Sequence, residues 1–237
     1  MSAPEALLAV QDRDTELDQL THRRAALSQR AALATARGDL ATVQAEATAR
    51  ADERATVERQ RVTLDAEVTD LDRRLTDLDR RLRSGEVTAT RELTAMVDQG
   101  EALRRRQSEL EDAELELLMA EEPLDAELAR LEGLRGVLEA QIATLQTELD
   151  DQVRDLDTEI AAVAEARQVA AKDVPETLLE VYERLRSRLG GTGAARLVGA
   201  SCGGCHLTLP ATELDRIRRE PPDALITCDQ CGRILVR

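Results

Sequence analysis

The chain has 237 residues and a formal net charge of −15, and it contains no Phe, no Trp and a single tyrosine, Tyr182. A compact core of this size normally buries several aromatic rings, so the composition argues against a large globular core and an aromatic-lined ligand pocket. The acidic balance argues against a general attraction to nucleic acid or anionic membranes. Leu, Val and Ala mixed with Glu, Asp and Arg are typical of long helices and coiled coils.

The charge is distributed unevenly along the chain. Residues 196–237 contain six arginines and five acidic residues, a net charge of +1, whereas residues 1–195 contain 26 basic and 42 acidic residues, a net charge of −16. All four cysteines also lie in the C-terminal part. The acidity therefore belongs to the long N-terminal part.

The sequence shows no recognisable export or membrane-targeting signal, so we expect a protein that stays inside the cell. No stretch of ~18 consecutive apolar residues is present, so we expect no membrane span. Met1 to Glu5 lead into an acidic amphipathic run and not into a basic segment followed by an apolar core, which predicts no signal peptide and a cytoplasmic location. In that compartment, paired cysteines are interpreted as metal ligands before disulfides.

A seven-residue repeat of apolar positions dominates the N-terminal part. From Leu93 to Val163, Leu, Ile and Val recur in alternating steps of three and four, and a second run extends from Val57 to Leu82. Apolar a and d positions flanked by charge predict a coiled coil, because a solvated single helix would leave the leucine stripe exposed.

The two runs are separated at residues 84–90, where Ser84 and Gly85 interrupt the repeat. A short connection between two long helices with apolar stripes predicts an antiparallel hairpin with its tip at this point. One bent helix that dimerises in parallel is the alternative.

Proline and glycine divide the chain into three expected parts. We expect the hairpin over residues 1–172, a connecting helix with a Gly-rich linker over 173–195, and a cysteine-bearing unit over 196–237. Asp173 is the expected cap of the connecting helix. A kink or local break is expected in the second arm at Pro123, which cannot donate a backbone hydrogen bond.

Charged residues at a and d positions predict the register of the two arms. If the hairpin turns near residue 87, the numbers of facing residues sum to about 175, which pairs Arg61 with Glu114 and Arg54 with Glu121. Alone, each charge would lie in an apolar seam; paired, they penalise slipped registers. The alternative is that these long side chains reach solvent without meeting.

The C-terminal part carries the clearest chemical signal, two Cys-x-x-Cys pairs formed by Cys202, Cys205, Cys228 and Cys231. A two-residue gap lets a tight turn direct both sulfurs at one ion, and two such turns complete a tetrahedral four-sulfur shell without an open position. We therefore predict one structural Zn²⁺, with iron as the rival metal. So small a unit cannot fold on apolar burial alone, so the metal is expected to supply most of its folding free energy.

The first pair, together with His206, also matches the attachment motif of c-type haem. Haem attachment requires export and an apolar pocket, and it leaves Cys228 and Cys231 without a role, so we do not favour it. His206 is expected at the surface or beside the metal shell and not as a ligand.

Short β-type segments surround the cysteines, at residues 196–198, 224–227 and 233–236, and residues 210–219 have the pattern of a short helix. This is the layout of a zinc ribbon. The predicted fold is mainly α: a long antiparallel coiled-coil hairpin, a short helix and a small C-terminal α+β zinc ribbon.

Four arginines near the ribbon are candidate contacts for nucleic acid or a protein partner: Arg216, Arg218, Arg219 and Arg233. Guanidinium groups bind phosphates, but the first three also lie at a helix end among acidic residues, where they stabilise the helix dipole. The sequence contains no Gly-rich phosphate loop and no convincing Ser-His-Asp set, so we expect no catalytic residues, no small-molecule substrate and no enzyme.

The tail, with Cys202-Gly-Gly-Cys205-His206 and Cys228-Asp-Gln-Cys231-Gly232, resembles the bacterial family of coiled-coil proteins with a C-terminal C4-type zinc ribbon. The resemblance extends to residues 84–85 and 92–93 at the tip and to residues 182–186 before the ribbon. It implies a hairpin followed by a ribbon. Relatives in bacteria with flagella or type III secretion resemble adaptor chaperones for an alternative sigma factor and export components, and some are implicated in RNA binding.

Two functions follow as expectations. The first is a non-enzymatic adaptor whose arms contact protein partners and whose ribbon provides a second docking surface. The second is a regulatory protein that binds RNA or DNA through the ribbon arginines, and this binding would weaken steeply with salt.

Overall fold

The computed structural model describes residues 2–221 and 224–237. Five helices and three strands follow one another along these residues: α1 (Ala3–Ala25), α2 (Ser28–Ser84), α3 (Thr90–Ala171), α4 (Glu176–Arg188), β1 (Ala194–Val198), β2 (Ser201–Cys202), α5 (Ala211–Arg219) and β3 (Ile234–Val236). The mainly α fold class with a small C-terminal sheet is confirmed. Among the described helices, none combines the length and the apolar character that a bilayer crossing requires.

The chain forms two compact units. The first contains residues 2–32 and 145–237, and the second contains residues 33–144. Both long helices contribute to each unit. The limits of the three parts expected from the sequence stay predictions.

In the second unit the two long helices form the predicted hairpin. The connection between them contains Gly85, whose φ of 73° lies in the left-handed region that glycine adopts without strain. Val43 of α2 packs with Leu131 and Leu138 of α3 in a buried cluster. The hairpin is confirmed, and the alternative of one bent helix is wrong.

Charged residues of the seam meet across the hairpin. Arg61 Nη1 lies 3.9 Å from Glu114 Oε1, and Arg61 Nε lies 3.3 Å from Glu121 Oε1. Arg54 Nε lies 2.6 Å from Asp125 Oδ1. The predicted pair Arg61–Glu114 is confirmed, but Arg54 makes its ion pair with Asp125 and not with Glu121. Arg61 therefore lies between two carboxylates seven residues apart, and Arg54 pairs with the carboxylate about one helical turn beyond the expected one.

Helix α3 runs without interruption through Pro123, so the local break predicted there is absent. The proline removes one backbone hydrogen bond, to the carbonyl of Met119. The helical turns before and after Pro123 keep their backbone hydrogen bonds, so the helix continues.

In the first unit, α1 packs against the C-terminal part of the chain. The buried cluster that joins them contains Ala6, Leu7, Leu8, Val10, Val174, Tyr182, Ala194, Ile234 and Val236. Tyr182, the single aromatic residue, is completely buried in it. Because strands β1 and β3 contribute to this cluster, the ribbon shares a hydrophobic core with α1 and α4.

The start of α4 differs from the prediction. Pro175 occupies the N-cap position and no side chain caps the helix, so the expected cap by Asp173 is wrong. The Asp173 N–H donates to the carbonyl of Ala170 at 3.3 Å. Asp173 therefore still belongs to the turn that ends α3.

The ribbon sheet has the strand order β2-β1-β3. Strand β1 pairs antiparallel with β2 and parallel with β3, with Ala195 opposite Leu235. Strands β1 and β3 correspond to the predicted segments at 196–198 and 233–236. The predicted strand at 224–227 reduces to a single bridge between Thr227 and Ile234, because the cysteine turn begins at the next residue.

Candidate metal centre

Two turns of the same design carry the four cysteines. In each turn the residue after the second cysteine donates its backbone N–H to the carbonyl of the first, at 2.8 Å from His206 to Cys202 and at 2.7 Å from Gly232 to Cys228. The N–H of each first cysteine donates to the carbonyl five residues later, at 3.0 Å and 2.9 Å respectively. The Cys-x-x-Cys spacing is thus closed twice by the same pair of backbone hydrogen bonds.

These turns bring the four predicted ligands together. The sulfurs of Cys202, Cys205, Cys228 and Cys231 all lie within 4.8 Å of one another. Cys202 Sγ lies 3.9 Å from Cys231 Sγ, and Cys205 Sγ lies 4.0 Å from Cys228 Sγ. A tetrahedron with metal–sulfur bonds of ~2.3 Å has edges of roughly 3.8 Å, whereas disulfide sulfurs are ~2.05 Å apart. The donor set fits a tetrahedral thiophilic ion such as Zn²⁺.

The same arrangement argues against the haem interpretation, since the sulfurs of the first pair face those of the second. His206 does not belong to the group of potential ligands that the described residues form. Its backbone has a φ of 61°, as Gly232 has a φ of 74° at the equivalent place. His206 therefore completes a turn whose conformation normally favours glycine.

The thiols differ in their electrostatic surroundings. Burial raises the pKa of Cys202, and burial raises the pKa of Cys228 to about 12. Burial acts in the same direction on Cys231, but hydrogen bonds from the backbone N–H and side chain of Arg233, together with those from Cys228 and Cys205, outweigh it and lower the pKa of Cys231 to about 7. Since a metal binds the thiolate form, Arg233 assists the deprotonation that ligation requires.

A buried glutamine of α1 binds the linker that leads into the ribbon. The side-chain oxygen of Gln11 accepts the N–H groups of Gly193 at 2.8 Å and Ala194 at 3.2 Å. Its amide nitrogen donates to the carbonyl of Gly191 at 3.1 Å and to Thr15 Oγ1 at 3.0 Å. The side chain uses both donors and both acceptor positions, so its burial leaves no polar atom unpaired.

A buried carboxylate of α1 joins the helices beside the ribbon. Asp14 accepts the hydroxyl of Tyr182 at 2.7 Å and Nε of Arg167 at 3.0 Å. Arg186 Nε lies 3.6 Å from the same carboxylate, and its Nη2 donates to Asp18 at 2.7 Å. Burial and the hydrogen bond to Asp14 raise the pKa of Tyr182. The network ties α1 to α3 and α4.

The four candidate arginines are not equivalent. Arg233 donates to the carbonyls of Leu189 at 3.1 Å and Thr192 at 3.0 Å. It therefore holds the end of α4 and the linker against the cysteine turn. This inward role does not fit the predicted surface contact.

The other three arginines are exposed on α5 and its end. Arg216 pairs with Asp229 at 3.3 Å, and Arg218 lies 3.8 Å from Asp215. Arg219 has no ion pair within the described residues. These three side chains keep the exposure that a contact surface requires.

Sequence reasoning located the cysteines but not Gln11 or Asp14. A signal for them exists, since Leu7, Val10, Gln11 and Asp14 follow the spacing of one helical face. A polar residue on the apolar face of a helix needs a buried partner. Such a residue indicates where a second part of the chain packs.

Comparison with known proteins places both parts of the chain. Residues 10–190 match the CT398-like coiled coil hairpin domain, and residues 201–235 match the C4-type zinc ribbon domain. The uncharacterized proteins MT2288 and Rv2229c, from two strains of Mycobacterium tuberculosis, are each 33% identical over 156 residues. The match covers 66% of this chain and 63% of each relative's length.

Solved structures give the same result for the fold. A protein from Mycobacterium smegmatis has a TM-score of 0.88 at 26% identity, over 100% of both chains. CT398 from Chlamydia trachomatis has a TM-score of 0.72 at 19% identity, over 99% of this chain and 97% of its own. HP0958 from Helicobacter pylori has a TM-score of 0.51 at 18% identity, over 98% and 95%. At these identities the last two show a common fold alone.

Proposed function

We propose that this chain, which belongs to the family of CT398-like coiled coil hairpin proteins, is a non-enzymatic adaptor. Its arms bind protein partners, and its C4 zinc ribbon offers a second docking surface. One Zn²⁺ holds the ribbon in shape and takes no part in chemistry.

The observation that carries this proposal is the group of four converging cysteine sulfurs. Four thiolates complete a tetrahedral shell, whereas a catalytic zinc keeps one position for water or substrate. A saturated ion contributes folding free energy to the small ribbon. The reduced thiols that it needs favour a reducing compartment, which supports a cytoplasmic location.

Exposed apolar side chains supply candidate docking surfaces in both parts. Val62 on α2 and Val97 on α3 are exposed, as are Val198 and Leu207 in the ribbon. Exposed apolar side chains that form patches on a folded protein often mark protein interaction sites.

Site-specific photo-crosslinking in the native cell tests the adaptor function. A photoreactive residue replaces Val62 on the arm or Leu207 on the ribbon, and a variant with the same residue at the buried Leu131 serves as the control. We expect discrete protein adducts from the exposed positions that resist nuclease and are absent from the control. Absence of protein adducts at both exposed positions would contradict the adaptor.

Binding of RNA or DNA is the second candidate function. The exposure of Arg216, Arg218 and Arg219 on one short helix favours it, whereas the ion pairs of the first two and the inward position of Arg233 weaken it. Filter binding over a salt series tests this candidate with the variant R218E/R219E. Affinity that falls steeply with salt and disappears in the variant supports nucleic-acid binding, and no affinity at low salt removes it.

A further inference from the structure

The middle of α3 carries apolar side chains on a face turned away from α2. Leu115, Leu118 and Met119, which we call the outer patch, are exposed by 58%, 43% and 74%. Their spacing of three and four residues places them side by side on the helix surface. By contrast, Leu110 and Leu131 of the same helix are buried. The outer patch is therefore not part of the hairpin seam.

Unpaired carboxylates flank the outer patch. Residues 107–129 contain nine acidic residues and no basic residue. Glu111 and Asp112 lie about one turn before the patch, and Glu122 lies about one turn after it. All three are exposed, and within the described residues none has an ion pair. Glu121, on the seam side of the helix, is instead buried against an arginine of α2.

A backbone acceptor lies at the same place. Pro123 interrupts the helical hydrogen bonding because it has no N–H, so the carbonyl of Met119 loses its usual donor four residues later. The outer patch thus combines apolar side chains, carboxylates at both ends and the backbone carbonyl of Met119, which lacks its usual helical donor.

We propose that the outer patch binds a basic amphipathic helix of a protein partner. The apolar face of such a helix covers Leu115, Leu118 and Met119, because helices pack through side chains at this spacing. Lysine or arginine at its two ends meets Glu111 and Glu122. A second copy of this chain does not fit, since two outer patches placed together would oppose carboxylate to carboxylate.

This proposal rests on the adaptor function and specifies the chemistry of one partner of the arms. The probe is a fluorescently labelled helical peptide with leucine on one face and lysine on the other, and a peptide with glutamate in place of lysine is its control. Binding to the full-length protein is followed by fluorescence anisotropy at several salt concentrations. Circular dichroism checks that each variant is folded, which we expect because the substituted side chains are exposed.

The double variant L115Q/M119Q tests the apolar contact, and V137Q is the matched control, an equally exposed valine of the same helix. We expect L115Q/M119Q to raise the Kd by about tenfold or more, since the central apolar residues of an interface dominate affinity. V137Q should bind as the wild type does. E111Q/E122Q should weaken binding a few-fold and reduce its salt dependence.

Several outcomes would overturn the proposal: no binding of the leucine–lysine peptide, equal binding of the glutamate peptide, or an equal loss in V137Q. Self-association that L115Q/M119Q abolishes in sedimentation would assign the outer patch to a second copy instead. If the peptide fails to bind while photo-crosslinks form at Val62 or Leu207, the outer patch is refuted and the adaptor function stands.

Discussion

The substitution Gln11→Leu tests how α1 holds the ribbon. Leucine has a similar volume and suits the apolar surroundings of this buried position, but it removes both polar atoms of the side chain. The N–H groups of Gly193 and Ala194 then lose their shared acceptor, and the carbonyl of Gly191 loses its donor. The change is therefore almost purely one of hydrogen bonding.

The expected cost follows from these bonds. A neutral hydrogen bond contributes about 1 kcal/mol, and a buried group left without a partner costs about 1–3 kcal/mol. With partial access of water to the linker, we expect a local loss of about 3 kcal/mol. Since 1.4 kcal/mol corresponds to tenfold in an equilibrium constant, this loss means roughly a hundredfold increase in local opening.

Hydrogen–deuterium exchange measures that opening at the relevant amides. The peptide containing Gly193 and Ala194 should exchange about a hundredfold faster in Gln11→Leu, while peptides from residues 33–144 should not change. Gln44→Leu, at an exposed glutamine of α2, is the control and should behave as the wild type. Unchanged protection at Gly193 and Ala194 would refute the role assigned to Gln11.

Three further outcomes are expected. Chelation of the metal should expose the ribbon amides to exchange and leave most of the helical dichroism at 222 nm, because the arms have their own apolar seam; loss of most helicity would show that the parts do not fold separately. In a chelator competition, Gly232→Ala should release zinc faster and His206→Gly should release it more slowly, because only glycine adopts a positive φ freely. The free energy of the turn should change by about 1 kcal/mol or less in each variant, and equal release rates would contradict this. The raised pKa of Tyr182 favours its neutral form in the folded state, so this contribution to stability is complete below the ordinary tyrosine pKa of about 10 and is lost as the pH rises above it. Absorbance at 295 nm should therefore report tyrosinate only together with unfolding, and ionisation of the native protein near pH 10 would argue against the bond to Asp14.

The features that the sequence predicted correctly are those that local periodicity determines. A stripe repeating every seven residues has few ways to be buried, and the glycine at the tip marks where the chain reverses. The cysteine spacing was equally informative, since two Cys-x-x-Cys pairs in one small unit are typical of a four-cysteine metal site. In these cases the partner of each residue is implied by the pattern itself.

The features that were missed depend on partners far away in the chain. Gln11 meets residues about 180 positions later, and Asp14 meets Tyr182. No local rule relates these positions, because their proximity results from the packing of α1 on the ribbon and α4. The inward position of Arg233 has the same origin, since its acceptors belong to the end of α4 and the linker.

Two neighbouring carboxylates of α3 show the same dependence on a distant partner within the arms. Glu121 faces α2 and meets Arg61, so it contributes to the register of the hairpin. Glu122, the next residue, faces away and has no ion pair in the described part of the chain. A helix turns by about 100° per residue, so neighbouring carboxylates serve different surfaces: one selects the internal partner and the other remains for an external one. The sequence shows both as members of one acidic run, and the assignment to two roles requires the position of the second helix.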